Sequence, residues 1–419
     1  MKTYWEKFLE HSVSGSNKVS GLRAGLIYCI AGLFLGYEMA LQVLPGVISS
    51  YLTSSTNITM TIMGWIAGVY FISYTFMQIP GGIAYDFFNS RTVITLASLL
   101  CSLGVFLFSQ TWSLFFLMMG RFITGFASAF AFTGVLVVSD QFFDKKWYPY
   151  LVSGAQFLGA FGAWAGEAPL SMMVQQLGLY PTEKILMLIG AALGLLAWLI
   201  IPTMNDSQEK QLDQFKKQIK ETLHSKQTAY NALYAFFCWA PVIILGGAWG
   251  VPFLEKSMNL STTSAATLVG YIWLAASIYS PILGVIANRV RSCTVPMTIM
   301  ALVGCMASIS FITYPEFLTA PMLVLIGASS AAQLLTFVLV KINNDSSVVG
   351  TALGLNNMAV VAGGIVFHPV IGYLMDLQTH FGQKATTMIH YQQAFIILPL
   401  CFIIAAVMTM FLVKDHDPC

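Results

Sequence analysis

Three ionisable side chains stand inside long apolar stretches: Glu38 in GLFLGYEMALQVLP, Arg121 in LMMGRFITG and Glu167 in AWAGEAPL. An ion at membrane depth costs about 2.5–3.5 kcal/mol on insertion scales, so each is a functional candidate. At about 1.5 Å per residue, the three lie about 13–18 Å from the outer ends of their stretches. A guanidinium at that level can hold a solute carboxylate or phosphate. It can also neutralise a glutamate when no solute is bound. A glutamate there can exchange a proton with a central cavity. The alternative is a fixed structural ion pair, and the sequence does not choose between Glu38 and Glu167 as the partner of Arg121. Softer candidates share the same stretches: Tyr37, Gln42, Tyr74 and Gln78 early in the chain, then Gln156, Asn356 and Asn357. Trp249 and Trp273 are candidate walls, and His368 stands beside Pro369. Polar groups of this kind serve helix packing as often as ligand binding.

The stretches that carry these groups dominate the chain. Of 419 residues, 57% are hydrophobic and 9% are charged, with a net charge of +2 and a mean hydropathy of +0.74. A soluble globular chain carries about 25% charged residues, so a cytosolic enzyme, a disordered protein and a nucleic-acid binder are excluded together. The sequence lacks GxxxxGK[ST], GxSxG and HExxH, so ATP-driven transport and intramembrane hydrolysis have no support. Five of the seven cysteines sit in apolar runs, Cys293 and Cys419 do not, and no metal spacing occurs. No cofactor is expected.

A bilayer span needs about 20 apolar residues and must be helical, because hydrocarbon cannot satisfy a free backbone. Spans are predicted at 25–50, 60–85, 92–110, 112–140, 148–176 and 183–203, then at 227–255, 262–288, 293–313, 316–342, 347–376 and 390–413. The expected fold is an all-α membrane protein of twelve transmembrane helices in two pseudo-symmetric six-helix bundles. The corresponding divisions are an N-terminal segment (1–24), a first bundle (25–203), a linker (204–226), a second bundle (227–413) and a tail (414–419). Within the linker, Leu212, Phe215, Ile219 and Leu223 fall at helical spacing, which suggests an amphipathic surface helix. Sixteen Lys and Arg fall on the side of the N-terminus, and Lys184, Lys256 and Lys384 on the other. That bias places both termini in the cytoplasm. The halves also echo each other: Gly154, Gln156 and Pro169 recur as Gly354, Asn356 and Pro369, and Pro45 corresponds to Pro252. Repeated halves with interrupted helices mark secondary transporters.

The loop after the second span reads GGIAYDFFNSR, with Gly82, Asp86 and Arg91 at the positions of the signature G-x-x-x-D-R-x-G-R-[RK]. A degenerate copy, GVIANRVRS, follows the eighth span through Gly284, Asn288, Arg289 and Arg291. Span four opens with R-x-x-x-G through Arg121 and Gly125. In these motifs the chain resembles the major facilitator superfamily, with Phe87 and Asn89 departing from the first motif. The resemblance implies a cytoplasmic gate in which Asp86 faces the start of span eleven. It also implies a central site that spans one, four and five face or approach, and a monomer carrying a small polar solute, with protons, across a plasma (inner) membrane. No nucleic acid is expected as a partner. Sugar-porter signatures and the Gly-Pro core of drug antiporters are absent, and within the family the short chain, the short outer loops and the Arg121/Glu38 pair fit an organic-anion, amino-acid or peptide carrier. A channel-like uniporter or a non-transporting receptor on the same scaffold is the competing reading.

Overall fold

A computed structural model describes residues 20–55, 58–203, 225–313, 315–344, 348–379 and 387–415. Among these residues twelve long helices follow one another: α1 (Gly21–Ser55), α2 (Met60–Phe87), α3 (Ser90–Phe108), α4 (Leu114–Phe142), α5 (Tyr148–Leu177) and α6 (Leu179–Ile200), then α7 (Lys226–Met258), α8 (Thr262–Val290), α9 (Thr294–Thr313), α10 (Leu318–Ile342), α11 (Val349–Thr379) and α12 (Met388–Phe411). Eleven are long and apolar enough to cross a membrane. The twelfth, α5, is 30 residues long and carries Gln156, Glu167, Gln175 and Gln176 among its apolar residues. The linker, where the amphipathic helix is expected, lies outside the described residues but for Ser225 and Lys226.

Local chemistry sets the helix ends. Thr59, Ser225 and Ser261 cap α2, α7 and α8, each side chain accepting from a backbone N–H three residues on. Gly178, at φ 89°, is the single residue between α5 and α6. Helix α6 therefore begins four residues before the expected 183, because Pro181 is at ease in a first helical turn. Lys184, expected in a loop, is inside α6 with its ammonium 4.4 Å from the Tyr180 ring centroid. Lys256 likewise falls in the last turn of α7. Cys293 is disulfide-bonded, with its partner outside the described residues.

Packing repeats between the halves. In the first, α1 lies on α5, α2 on α4, α3 on α4 and α3 on α6; in the second, α7 lies on α11, α8 on α10, α9 on α10 and α9 on α12. The halves meet chiefly through α2 with α11, α5 with α8, and α1 with α7. Missing side chains permit the closest approaches. A Cβ on Gly162 would strike the backbone of Gly36 between α5 and α1, and one on Gly372 would strike the Met60 carbonyl between α11 and α2.

Candidate functional site

Helix α1 runs without interruption through Pro45. Proline has no N–H, so the carbonyl of Leu41, four residues earlier, loses its helical donor. Arg121 on α4 replaces it. Its Nη1 donates to the Leu41 carbonyl at 2.7 Å, Nη2 to that of Gln42 at 3.3 Å and Nε to that of Ile66 at 3.3 Å. The guanidinium also lies 4.6 Å from the Tyr70 ring centroid, and the side chain is 2% exposed. A small cavity beside it is lined by Leu41, Leu44, Val105, Phe108 and Thr124.

Glu38 is wholly buried and takes one hydrogen bond, from the Tyr70 hydroxyl to Oε2 at 2.9 Å, while Oε1 has no partner. Tyr70 thus joins the two ionisable groups, its ring under the guanidinium and its hydroxyl on the carboxylate. Tyr74 stacks on Tyr70 at 5.6 Å. Glu38 and Arg121 share this cluster but form no ion pair with each other, whereas Lys146 and Asp144 pair at 3.2 Å near the N-terminal face.

Glu167 stands apart, on α5 in the seam against α8. It is wholly buried and neither oxygen has a hydrogen-bond partner. The Trp273 indole N–H faces it without reaching hydrogen-bond geometry. The other seam carries a matching pair. His368 on α11 packs its ring against Phe71 on α2, centroids 5.4 Å apart, and neither ring nitrogen has a partner. Between the seams, α7 passes through a π-helical turn, Leu245–Trp249. Such turns recur at functional positions.

The remaining candidates divide. Tyr37 donates to the Leu186 carbonyl of α6 at 2.8 Å and serves packing inside the first half. Gln42 is buried and contributes its backbone carbonyl to Arg121. Gln156 is exposed. Asn356 is buried and donates to Thr336 at 2.8 Å. Asn357 crosses the seam to Gln78 at 3.0 Å.

The two faces of the molecule differ. At the face opposite the N-terminus, both oxygens of Asp376 on α11 accept from the first N–H groups of α2, Met60 at 3.1 Å and Thr61 at 2.7 Å. Glu255 on α7 accepts from Ser50 on α1 and from Thr262. Thr263 on α8 bonds to Ser171 and Gln175 on α5, each at 3.1 Å. At the N-terminal face, Cβ atoms on Gly82, Gly284 or Gly350 would meet nothing within 4 Å. Asn288 and Arg289 are exposed. Arg91 turns to α6, its guanidinium 3.9 Å from the Trp198 ring centroid. Asp86 is in the last turn of α2, and its side chain lies outside the described residues. Sequence reading missed Asp376 and Glu255, which look like ordinary charges at span ends. It also missed Tyr70, whose signal was its helical spacing from Tyr74.

Comparison with known proteins fits this architecture. The model of the Major Facilitator Superfamily matches residues 26–368. A search of the curated proteins finds no match. Among solved structures, the fold is similar to the nucleoside transporter NupG (TM-score 0.75, 13% identity, 94% of this chain and 100% of that one). It is also similar to an inward-facing, unoccupied bacterial homolog of the human lysosomal transporter Spinster (0.77, 13%, 93% and 97%). A D-xylose–proton symporter matches as well (0.72, 14%, 94% and 98%). At such identities the likeness is one of fold.

Proposed function

The chain belongs to the major facilitator superfamily and is a membrane transporter rather than an enzyme; from that premise we propose that it couples protons to the movement of a small polar organic solute, an organic anion, amino acid or dipeptide, by alternating access. One observation carries this reading: Glu38 and Glu167 are wholly buried, and neither forms a salt bridge. A bare carboxylate so placed costs several kcal/mol, a cost that a bound proton removes. Rocking of the halves would expose the groups to water and release the proton, which ties proton movement to the conformational cycle.

In this reading Glu38 is the proton-linked acid and Tyr70 its relay to the guanidinium. Arg121 satisfies the carbonyl that Pro45 frees in α1 and biases the carboxylate by its charge. Glu167 works in the α5–α8 seam, where it separates from Trp273 as the halves move. Gly82, Asp86 and Arg91, with Gly284, Asn288 and Arg289, close the N-terminal face in the alternate state. Both termini are cytoplasmic, in a plasma (inner) membrane, and the carrier acts as a monomer.

Proteoliposomes with an imposed pH gradient test the proposal. Saturable solute accumulation that collapses with a protonophore is expected. Glu38→Gln should abolish accumulation while leaving exchange of labelled for unlabelled solute intact. Unsaturable downhill flux would favour a channel, and gradient-driven accumulation by Glu38→Gln would remove that residue from coupling.

A further inference from the structure

The halves are built alike but wired differently. Gly125 on α4 lies so close to α2 that a Cβ would strike the Tyr70 carbonyl; Gly327 on α10 meets the Ile272 carbonyl of α8 in the same way. Both pairs are 202 positions apart, which fixes the structural equivalence of α4 with α10 and of α2 with α8. By the same step Arg121 corresponds to Leu323, a wholly buried apolar residue, and Pro45 corresponds to Gly247 in the π turn of α7 rather than to Pro252, the match expected from sequence. Gly46 of α1 and Ala248 of α7, also 202 apart, face each other across the centre.

The first half therefore meets the carbonyl freed by its proline with a cation of its own. The second has a π turn and a proline but no cation. It has unsatisfied acceptors and donors instead. The Trp273 indole nitrogen lies 2.6 Å from where a Cβ on Gly246 would stand, and His368 Nε2 lies 2.8 Å from that of Gly247. Glu167, beside Trp273, has two free oxygens. Pro252 has no N–H to offer the Ala248 carbonyl.

We propose that the π turn of α7, with Glu167, Trp273 and His368, seats the protonated amine of the transported solute, which supplies the second half with the cation that Arg121 gives the first. An ammonium brings one positive charge and three N–H donors, which match the Glu167 carboxylate once its proton has left and the Ala248 carbonyl that Pro252 leaves free. The free nitrogens of His368 suit the acid end of the same molecule. The solute class narrows to zwitterions, amino acids or dipeptides, and excludes plain organic anions. This rests on the carrier reading above.

The test uses the full-length protein in proteoliposomes with four probes: alanine, alanyl-alanine, and their amine-free counterparts lactate and N-acetyl-alanyl-alanine. Saturable, protonophore-sensitive uptake is expected for an amine-bearing probe and not for its counterpart. Glu167→Gln should cut that uptake at least tenfold. Leu323→Arg, which restores a cation in place, should abolish it while the protein's thermal midpoint is kept or raised. If Leu323→Arg fails to fold, Glu167→Gln alone decides. Equal uptake of amine-bearing and amine-free probes, or undiminished uptake by Glu167→Gln, overturns the assignment and leaves the carrier intact. Saturable uptake of neither class overturns both.

Discussion

The two ends of the inter-half seams are made of different material. At the end opposite the N-terminus, glycines bring backbones together: Gly372 of α11 on Met60, and Gly64 of α2 on the His368 carbonyl. Carboxylates then tie the ends, Asp376 across to the start of α2 and Glu255 across to Ser50. At the N-terminal end the signature glycines Gly82 and Gly284 face open space, and Asn288 and Arg289 are exposed. One face is thus shut by close packing and hydrogen bonds, while at the other Gly82 and Gly284 face open space and Arg91 lies against Trp198 of its own half. The arrangement teaches that glycine in this chain has two uses. Some glycines hold the present state, and others are spaces kept for a contact made in another.

The largest effect is expected at the shut face. Gly372→Ala and Gly64→Ala push a methyl into opposing backbone, an overpacking cost of about 1–3 kcal/mol. Thermal midpoint should fall and uptake should drop more than tenfold. Wild-type uptake by Gly372→Ala would show that the two backbones do not stay in contact. Next comes Asp376→Ala, which removes the cap on α2 at a cost of about 1 kcal/mol. The ratio of open to shut far face should rise several-fold in distance measurements between spin labels. An unchanged ratio would make the cap incidental. Gly82→Ala sharpens the contrast: its methyl meets nothing here, so the thermal midpoint should hold while transport slows. A clear loss of stability would mean that the N-terminal face is already packed. Smallest is Asp144→Asn. It breaks an exposed pair with Lys146, which is worth at most about 1 kcal/mol. Midpoint and uptake should both stay at wild-type values, and a loss of either would give the pair a role in the gate.

Much of the fold was legible because a bilayer demands about 20 apolar residues per span, and few charges interrupt them here. The sequence also gave depth: Glu38 and Arg121 do share a cluster. It could not give azimuth. Depth alone suggests that Arg121 pairs with a glutamate, yet it is turned toward the carbonyls freed by Pro45, with Tyr70 between it and Glu38. The proline was visible in sequence, but the helix that satisfies the freed carbonyl was not, because that depends on which face of α4 meets α1. Asp376 was illegible for a similar reason. Its partner is an N-terminus some three hundred residues away, and only the packing of α11 on α2 brings them together. The π turn of α7 has a sequence trace in Gly246 and Gly247, yet adjacent glycines alone do not distinguish it from a plain kink.

The central claim, that one face is tied shut while the gate glycines of the other stand unpacked, is tested most directly by pulsed electron spin resonance on two label pairs in lipid nanodiscs. One pair joins exposed Tyr51 on α1 to Lys256 on α7, and the other joins Phe88, just past α2, to Gly350 on α11. At rest the first pair should give a single narrow short distance and the second a longer, broader one. Under a saturating transported solute with a pH gradient, the second should shorten as the first lengthens. A short, narrow distance for the second pair at rest, or two distances that never move in opposite senses, would contradict the account.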